Sequence, residues 1–185
     1  MRKALFKETI SYFKKAHENI FIQFKDGTVH LSEGHIICSM PVEYYTAFII
    51  PKIAGLPRYE KDETYIIKKD NRLVMSTVDF SEMYNKTGEQ IEGKITPIMI
   101  NQDKFDLRLI TWMDGEIKGT LVNETFFRIS KEYTCGTYYC TRKNAPVVTK
   151  NGDFRFMMLP VNYTDTSYCN MILQGFNALE TEKAA

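Results

Sequence analysis

The fold is decided by residues 19–51, which read NIFIQFKDGTVHLSEGHIICSMPVEYYTAFIIP. Ile20, Ile22 and Phe24 recur at every second position, the period that turns one face of a strand towards a core. Asp26-Gly27 follows directly, and this dipeptide favours the positive-φ turn of a tight hairpin. The sequence therefore predicts a strand that reverses direction at Asp26-Gly27.

The residues after this turn predict two more strands. Thr28 to Ser32 forms the return strand, and the apolar run from His35 to Met40 adds a third. Pro41 ends the third strand because proline has no backbone N–H to donate. We expect a small antiparallel meander.

The hairpin pattern recurs three times further along the chain. Each copy has an apolar strand, a polar turn and an apolar return. The copies span residues 64–76, 105–122 and 147–161, with turns at Lys69-Asp70-Asn71, Asp114-Gly115 and Asn151-Gly152. Four such units predict an α+β fold dominated by antiparallel β-hairpins.

Residues 2–18 have the apolar spacing of an amphipathic helix, with Phe6, Ile10 and Phe13 on one face. The other face is basic and carries Lys3, Lys7, Lys14 and Lys15. A basic helix face is either a solvated surface or a surface that contacts phosphates. A second, short helix is predicted over Glu43 to Ile50, before Pro51 interrupts it.

The polar segment from Asn85 to Thr96 lacks a strong pattern and is the expected boundary within the chain. It divides the sequence into an N-terminal half, residues 1–90, and a β-rich C-terminal half, residues 91–185. The residues after Ala178, LETEKAA, are expected to fray.

Charge and composition exclude some classes of function. The 24 Lys and Arg residues nearly balance the 23 Asp and Glu residues, so nucleic-acid binding would need a local basic patch. The N-terminus lacks an uninterrupted apolar segment, and no apolar run approaches the roughly 18 residues of a membrane span. These features predict a cytoplasmic protein without a membrane partner.

The sequence contains none of the usual signatures of catalysis, phosphate loops or metal binding. The four cysteines, at 38, 135, 140 and 169, are expected to be reduced thiols, and we expect no metal or other cofactor. One weak alternative is an enzyme site at His30, Glu33 and His35, which could form an acid/base or metal cluster. His30 alternates with Val29 and Leu31, so its side chain is expected on the opposite face of the strand.

The order of these features resembles the DNA sliding clamps that hold replicative polymerases on their template. Residues 5–40, LFKETISYFKKAHENIFIQFKDGTVHLSEGHIICSM, resemble the helix and strands that open a clamp domain. The segments VEYYTAFIIPKIAGLP and TYIIKKDNRLVMSTVDFSEMY resemble the short helix and hairpin that follow, and APVVTKNGDFRFMMLPVNY resembles the end of bacterial clamps. The resemblance covers residues 2–84 and 145–163. It is carried by the order of helices, strands and turns, and no catalytic residue is among the matches.

This resemblance implies a shortened, divergent, phage-like clamp with a clamp-like N-terminal half and no enzymatic activity, acting in DNA replication as a processivity factor. A basic helix would contact duplex DNA without reading bases. The cations expected at the DNA are Lys3, Lys7, Lys14, Lys15, Lys52 and Arg58. A polymerase-type peptide would bind an apolar groove formed by Met158, Leu159, Pro160 and Val161.

The resemblance further implies a homo-oligomer that associates through sheet edges. In the second half we find no counterpart of the first basic helix. The alternative function is a monomeric α+β protein-interaction module, or accessory factor, that makes no contact with DNA.

Overall fold

The chain is described here by a computed structural model for residues 5–16, 19–85, 91–101, 106–134, 136–141, 145–161 and 167–184, without the side chains of residues 85, 167–169 and 179–184. The helices in these ranges are α1 (Lys7–Lys14), α2 (Val42–Tyr44), α3 (Ser81–Asn85), α4 (Glu124–Ser130) and α5 (Ser167–Ala184). A π-helical turn, Tyr45–Ile49, and a 3₁₀ turn, Ile50–Lys52, continue directly from α2.

The strands are β1 (Ile20–Lys25), β2 (Thr28–Ser32), β3 (Ile36–Pro41), β4 (Thr64–Ile67), β5 (Leu73–Ser76), β6 (Ile91–Asn101), β7 (Asp106–Asp114), β8 (Glu116–Asn123), β9 (Tyr138–Cys140), β10 (Val147–Asn151) and β11 (Phe154–Met158). These strands form one sheet in the order β5-β4-β1-β2-β3-β11-β10-β9-β6-β7-β8. Every neighbouring pair is antiparallel. The predicted α+β class is confirmed.

The opening meander has the predicted form. Lys25 pairs with Thr28, which leaves Asp26 and Gly27 as a two-residue loop. Both loop residues have positive φ, 50° and 72°, as the predicted turn requires. Strand β3 then pairs with β2, and Pro41 lies at its end.

The three later hairpins also form where the sequence predicts them. Strands β4 and β5 join through a loop in which Asn71 has φ 62°. Strands β7 and β8 turn at Gly115, and β10 and β11 turn at Gly152-Asp153. The local turn chemistry therefore predicts where these hairpins form and the register of β4–β5. The other two turns differ from the prediction: Asp114 pairs with Glu116, so the loop is Gly115 alone, and Asn151 pairs with Phe154, so the loop is Gly152-Asp153 and not Asn151-Gly152.

A helix followed by three strands occurs on each side of the central pair β3–β11. On one side α1 precedes β1, β2 and β3, and on the other α4 precedes β9, β10 and β11. The central pair is made by Ile36 with Met158 and by Cys38 with Phe156. Strands from both predicted halves thus lie in one sheet. Whether the chain divides into two folding units at residue 90 stays a prediction.

The main core lies between one face of this sheet, here called the inner face, and α1, α2 and α4. Ile22 and Phe24 of β1, Val29 and Leu31 of β2, and Phe13 and Phe127 of the helices belong to it. Phe24 and Tyr45 contact edge to face, with 5.6 Å between ring centroids. The predicted alternation of β1 therefore matches its buried face.

Two smaller clusters cover the opposite, outer face. Phe80 and Tyr84, at α3, pack on Ile37, Val148 and Met157. Near the other end of the sheet, Leu173 and Phe176 of α5 pack on a separate cluster formed by leucines of β7 and β8. The sheet is therefore covered on both faces.

The first helix is shorter than the predicted range of residues 2–18. Phe6 has φ 58°, a left-handed conformation that a helix cannot continue through, so α1 begins at Lys7. At the other end, Lys15 donates its N–H to the carbonyl of Tyr12, and this tight turn closes the helix. Residues 1–4 and 17–18 lie outside the described residues.

The prediction of one further short helix is confirmed in the run that starts at Val42, but it omits α3, α4 and α5. The second half does contain a helix, α4, that packs beside α1 on the inner face, although its sequence is not a basic one. The backbone of the predicted frayed tail is helical to Ala184.

The two edges of the sheet differ. At β8 the side-chain amide of Asn177, in α5, accepts the N–H of Ile117 at 2.6 Å and donates to its carbonyl at 3.0 Å. Val161 donates its N–H to the carbonyl of Leu121 at 2.8 Å. At β5, by contrast, Leu73, Val74 and Met75 are 48%, 42% and 58% exposed.

Candidate nucleic-acid interface

Helix α1 has one buried and one exposed face. Thr9 and Phe13 are buried against the core. Lys7, Lys14 and Lys15 are exposed, and their spacing places them on one strip of the helix together with exposed Ser11. The predicted basic face is therefore confirmed for these three lysines, while Lys3 lies outside the described residues.

These lysines have no carboxylate partner among the described residues. Glu8, the acidic residue closest to them in α1, is paired with Arg128 of α4, with 3.1 Å between Oε2 and Nη2. The charge of Lys7, Lys14 and Lys15 is consequently available to a ligand from solution.

The N-terminus of α1 is capped by a residue distant in sequence. Phe6 supplies no side-chain cap. Instead, the Glu132 carboxylate accepts the backbone N–H of Glu8 at 2.8 Å and of Thr9 at 3.0 Å, and the Thr9 hydroxyl donates to it at 2.7 Å. An anion at this position also interacts favourably with the helix dipole.

Helix α4 lies directly against α1. Tyr12 contacts Phe126 edge to face, with 5.8 Å between ring centroids. Asn123 begins α4 by accepting the N–H of Thr125 at 2.8 Å, as a helix N-cap does. The Tyr12–Phe126 contact, together with the Arg128–Glu8 ion pair, therefore holds the two helices against each other.

The exposed side of α4 adds cations to the same region. Arg128 is exposed and bonded to Glu8, and the Lys131 ammonium lies 4.7 Å from the centroid of the Phe127 ring. Glu124 is turned to Arg108, with 2.8 Å between Oε2 and Nε. We call Lys7, Lys14, Lys15, Arg128 and Lys131 the helix-pair surface.

Lys52 and Arg58, the other predicted DNA contacts, are exposed in the segment that follows α2. This segment adjoins the start of α1, because Phe48 contacts Phe6 with 6.3 Å between ring centroids. Whether these cations contact DNA stays a prediction.

The segment predicted to form the peptide groove contains both buried and exposed residues. Met158 is fully buried in β11, where it pairs with Val147 and Ile36, so its side chain faces the core. Leu159 is 40% exposed, and Pro160 and Val161 are half-buried. In this conformation only the last three residues are accessible to a partner.

The candidate enzyme cluster does not assemble. His30 lies on the outer face, as its alternation predicts, and bonds through Nδ1 to Ser39 at 2.7 Å. Glu33 and His35 pair separately at 3.0 Å, and the His35 ring stacks on Phe126 with 6.2 Å between centroids. Within the part of the chain that the structure describes, no three His, Cys, Asp or Glu side chains could hold a metal ion.

Cys38 and Cys140 are free and buried, as expected. Burial raises the pKa of the Cys140 thiol to about 12 and that of Cys38 still further, so both stay protonated. Cys135 and the Cys169 side chain lie outside the described residues. None of the helices described is both long and apolar enough to span a membrane.

Sequence reasoning misses Glu132 and α4. The signal for α4 is Asn123 followed by Glu124-Thr125, an N-cap residue with a carboxylate in the first turn. Nothing in the local sequence indicates that Glu132 caps a helix more than a hundred residues earlier in the chain.

No protein-family model matches this chain, and no curated protein matches it. In overall structure it is similar to a putative DNA polymerase III beta subunit from Eubacterium rectale, with 15% identity and a TM-score of 0.41 over 86% of this chain. It is also similar to a DNA polymerase III subunit beta sliding clamp from Bartonella birtlesii, with 11% identity and a TM-score of 0.36 over 87% of this chain. The second of these belongs to the family that the sequence resembles.

The chain spans 64% of the length of each of these two structures. Because both TM-scores are below 0.5, the function of the chain has to be argued from its own geometry, chiefly that of α1 and α4.

Replacing Glu132 by alanine tests the cap of α1. We expect Glu132→Ala to lower the free energy of unfolding by about 2 kcal/mol, because two backbone N–H groups and the Thr9 hydroxyl lose a charged acceptor. Urea denaturation followed by circular dichroism measures this change. Glu116→Ala, at an exposed position of β8, is the control and should stay within about 0.5 kcal/mol of the parent protein. Equal stability of the two variants would contradict the capping role.

Proposed function

We propose that this chain is a non-enzymatic, clamp-like scaffold that binds duplex DNA independently of base sequence through the helix-pair surface. The observation that carries the proposal is that Lys7, Lys14 and Lys15 are exposed on one strip of α1 without a carboxylate partner among the described residues. A protein with a net charge of only +1 has little general attraction for DNA, so such a local strip has to supply it.

The chemistry of these side chains supports contact with phosphates. Lysine ammonium groups are flexible point charges that suit phosphate oxygens and carry no base specificity. Lys131 extends the basic area onto α4 and Arg128 neutralises Glu8 there, while the carboxylates of Glu124 and Glu132 are directed to protein partners. The expected binding is therefore electrostatic and tolerant of sequence.

A polymerase-type peptide belongs to the same proposal. Exposed Leu159 and half-buried Pro160 and Val161 would supply its apolar contacts, without Met158.

The proposal also includes self-association of the chain, and the two edges of the sheet determine where copies can pair. Since α5 and Val161 already bond to β8, the open edge for pairing is β5.

Removing the three lysines of α1 tests DNA binding. In the variant with Lys7→Gln, Lys14→Gln and Lys15→Gln we expect weaker binding to every duplex, with the slope of log affinity against log salt reduced by about three. Fluorescence anisotropy with two labelled duplexes of unrelated sequence, over a range of salt concentrations, measures both quantities.

The matched control removes three lysines from strands, by Lys94→Gln, Lys118→Gln and Lys150→Gln, and should retain most of the affinity. If the α1 variant and the parent protein bind DNA equally, or if neither binds at low salt, the proposal is wrong. The interaction-module alternative then becomes the better account.

Pairing through β5 gives a dimer with twofold symmetry. Arg72 bonds to Lys68 across β4–β5, so by alternation the backbone groups of Leu73 and Met75 face away from β4. Two copies of β5 can then pair antiparallel, which is a self-complementary contact that closes on itself.

Light scattering tests this pairing, with an expected solution mass twice that of one chain. Met75→Lys places a charge on the open edge and should yield a monomer. Met113→Lys is the control, because Met113 is 55% exposed on β7, close to the 58% of Met75. A parent protein that is monomeric at all concentrations would contradict the pairing through β5.

A further inference from the structure

The outer face of the sheet has a polar cavity of about 450 Å³ beside the turn of the first hairpin. His30, Tyr84 and Arg155 line it together with Asp26, Glu43 and Asp153. These residues come from separate parts of the chain, and the cavity lies on the opposite face of the sheet from α1. Its size is in the range of small-molecule sites.

His30 presents a hydrogen-bond acceptor to this cavity. The residue is only 5% exposed. Tyr84 donates its hydroxyl to the carbonyl of Ile37 at 3.1 Å, and Ser39 donates to Tyr84 at 3.0 Å. The single Ser39 proton is thus used, so His30 must donate from Nδ1 to Ser39 at 2.7 Å and keep a lone pair on Nε2.

The Nε2 atom has no hydrogen-bond partner among the described residues. This atom is not fully buried, so it is accessible to solvent. His30 lines the cavity, and Nε2 is its ring nitrogen left to bond a ligand there. Burial lowers the pKa of His30 to about 4, so the imidazole is neutral at pH 7 and its Nε2 accepts a proton donor.

The charges around His30 have both signs. Arg155 lies 6.0 Å from the Tyr84 ring centroid and forms no ion pair with the described carboxylates. Lys25 is held by Asp79, with 2.7 Å between Nζ and Oδ2. Hydrogen bonds from Lys25 and Ser81 keep the pKa of Asp79 well below its usual range, so it remains an anion.

The rim carries the carboxylates of Asp26, Glu43 and Asp153, all exposed. An anionic ligand that reached Arg155 would also meet these three carboxylates. A cationic ligand in the cavity would meet Arg155, which is also exposed, and Lys25. A hydroxyl group both donates and accepts without a net charge, so it suits all of these partners.

We propose that this cavity binds a neutral polyhydroxylated ligand of about monosaccharide size. One hydroxyl donates to Nε2 of His30, a second accepts from Arg155, and others donate to the carboxylates of the rim. This function goes beyond DNA binding. The two surfaces lie on opposite faces of the sheet, so an experiment that disproves one kind of binding leaves the other untouched.

Nuclear magnetic resonance of ¹⁵N-histidine tests the proposal, since the chain has only three histidines. The probes are D-glucose, D-ribose, myo-inositol and glycerol, with inorganic phosphate and putrescine as the anionic and cationic alternatives. We expect at least one polyol to shift the Nε2 signal of His30 saturably while the signals of His35, which stacks on Phe126, stay unchanged. Phosphate and putrescine should leave His30 unchanged.

Arg155→Gln should weaken polyol binding at least about tenfold, the loss expected for one hydrogen bond to a charged group. Arg72→Gln, at an exposed position of the β4–β5 loop, is the control and should bind as the parent protein does. The proposal is overturned if no polyol shifts His30, if phosphate or putrescine shifts it instead, or if Arg155→Gln binds polyols unchanged.

Discussion

The contact between the Glu132 carboxylate and the first turn of α1 is the constraint on which the candidate interface depends. Phe6 leaves the helix without a cap of its own, and Glu132 satisfies the N–H groups of Glu8 and Thr9 from the end of α4. This contact ties the first turn of α1 to the segment that follows α4. The buried face then packs on the sheet, and Lys7, Lys14 and Lys15 are directed to solvent.

The sheet separates two chemical environments. Its inner face holds α1 and α4 with their cations, and its outer face holds a cavity of mixed charge around a neutral histidine. The pair β3–β11 joins the helix-and-three-strand units that carry these features. Because α5 bonds to one edge and leaves the other exposed, the fold also limits how copies can associate.

The local part of this structure was predictable from sequence, and the long-range part was not. Asp26-Gly27 and the alternation around it are short-range signals, so β1, β2 and the outward direction of His30 follow from them. Helix α4 has only seven residues and too few apolar repeats for a periodic signal. The roles of Glu132 and Arg155 depend on partners far along the chain, and no local pattern encodes those contacts.

The central claim is that DNA lies on the helix-pair surface, and lysine footprinting measures this most directly. The protein is treated with an amine-reactive acetylating reagent at low salt, with and without duplex DNA, and the modified lysines are quantified by mass spectrometry. The account predicts that DNA protects Lys7, Lys14 and Lys15, while Lys94, Lys118 and Lys150 of the strands react as before. Unchanged reactivity on α1, or protection confined to the strands, would contradict it.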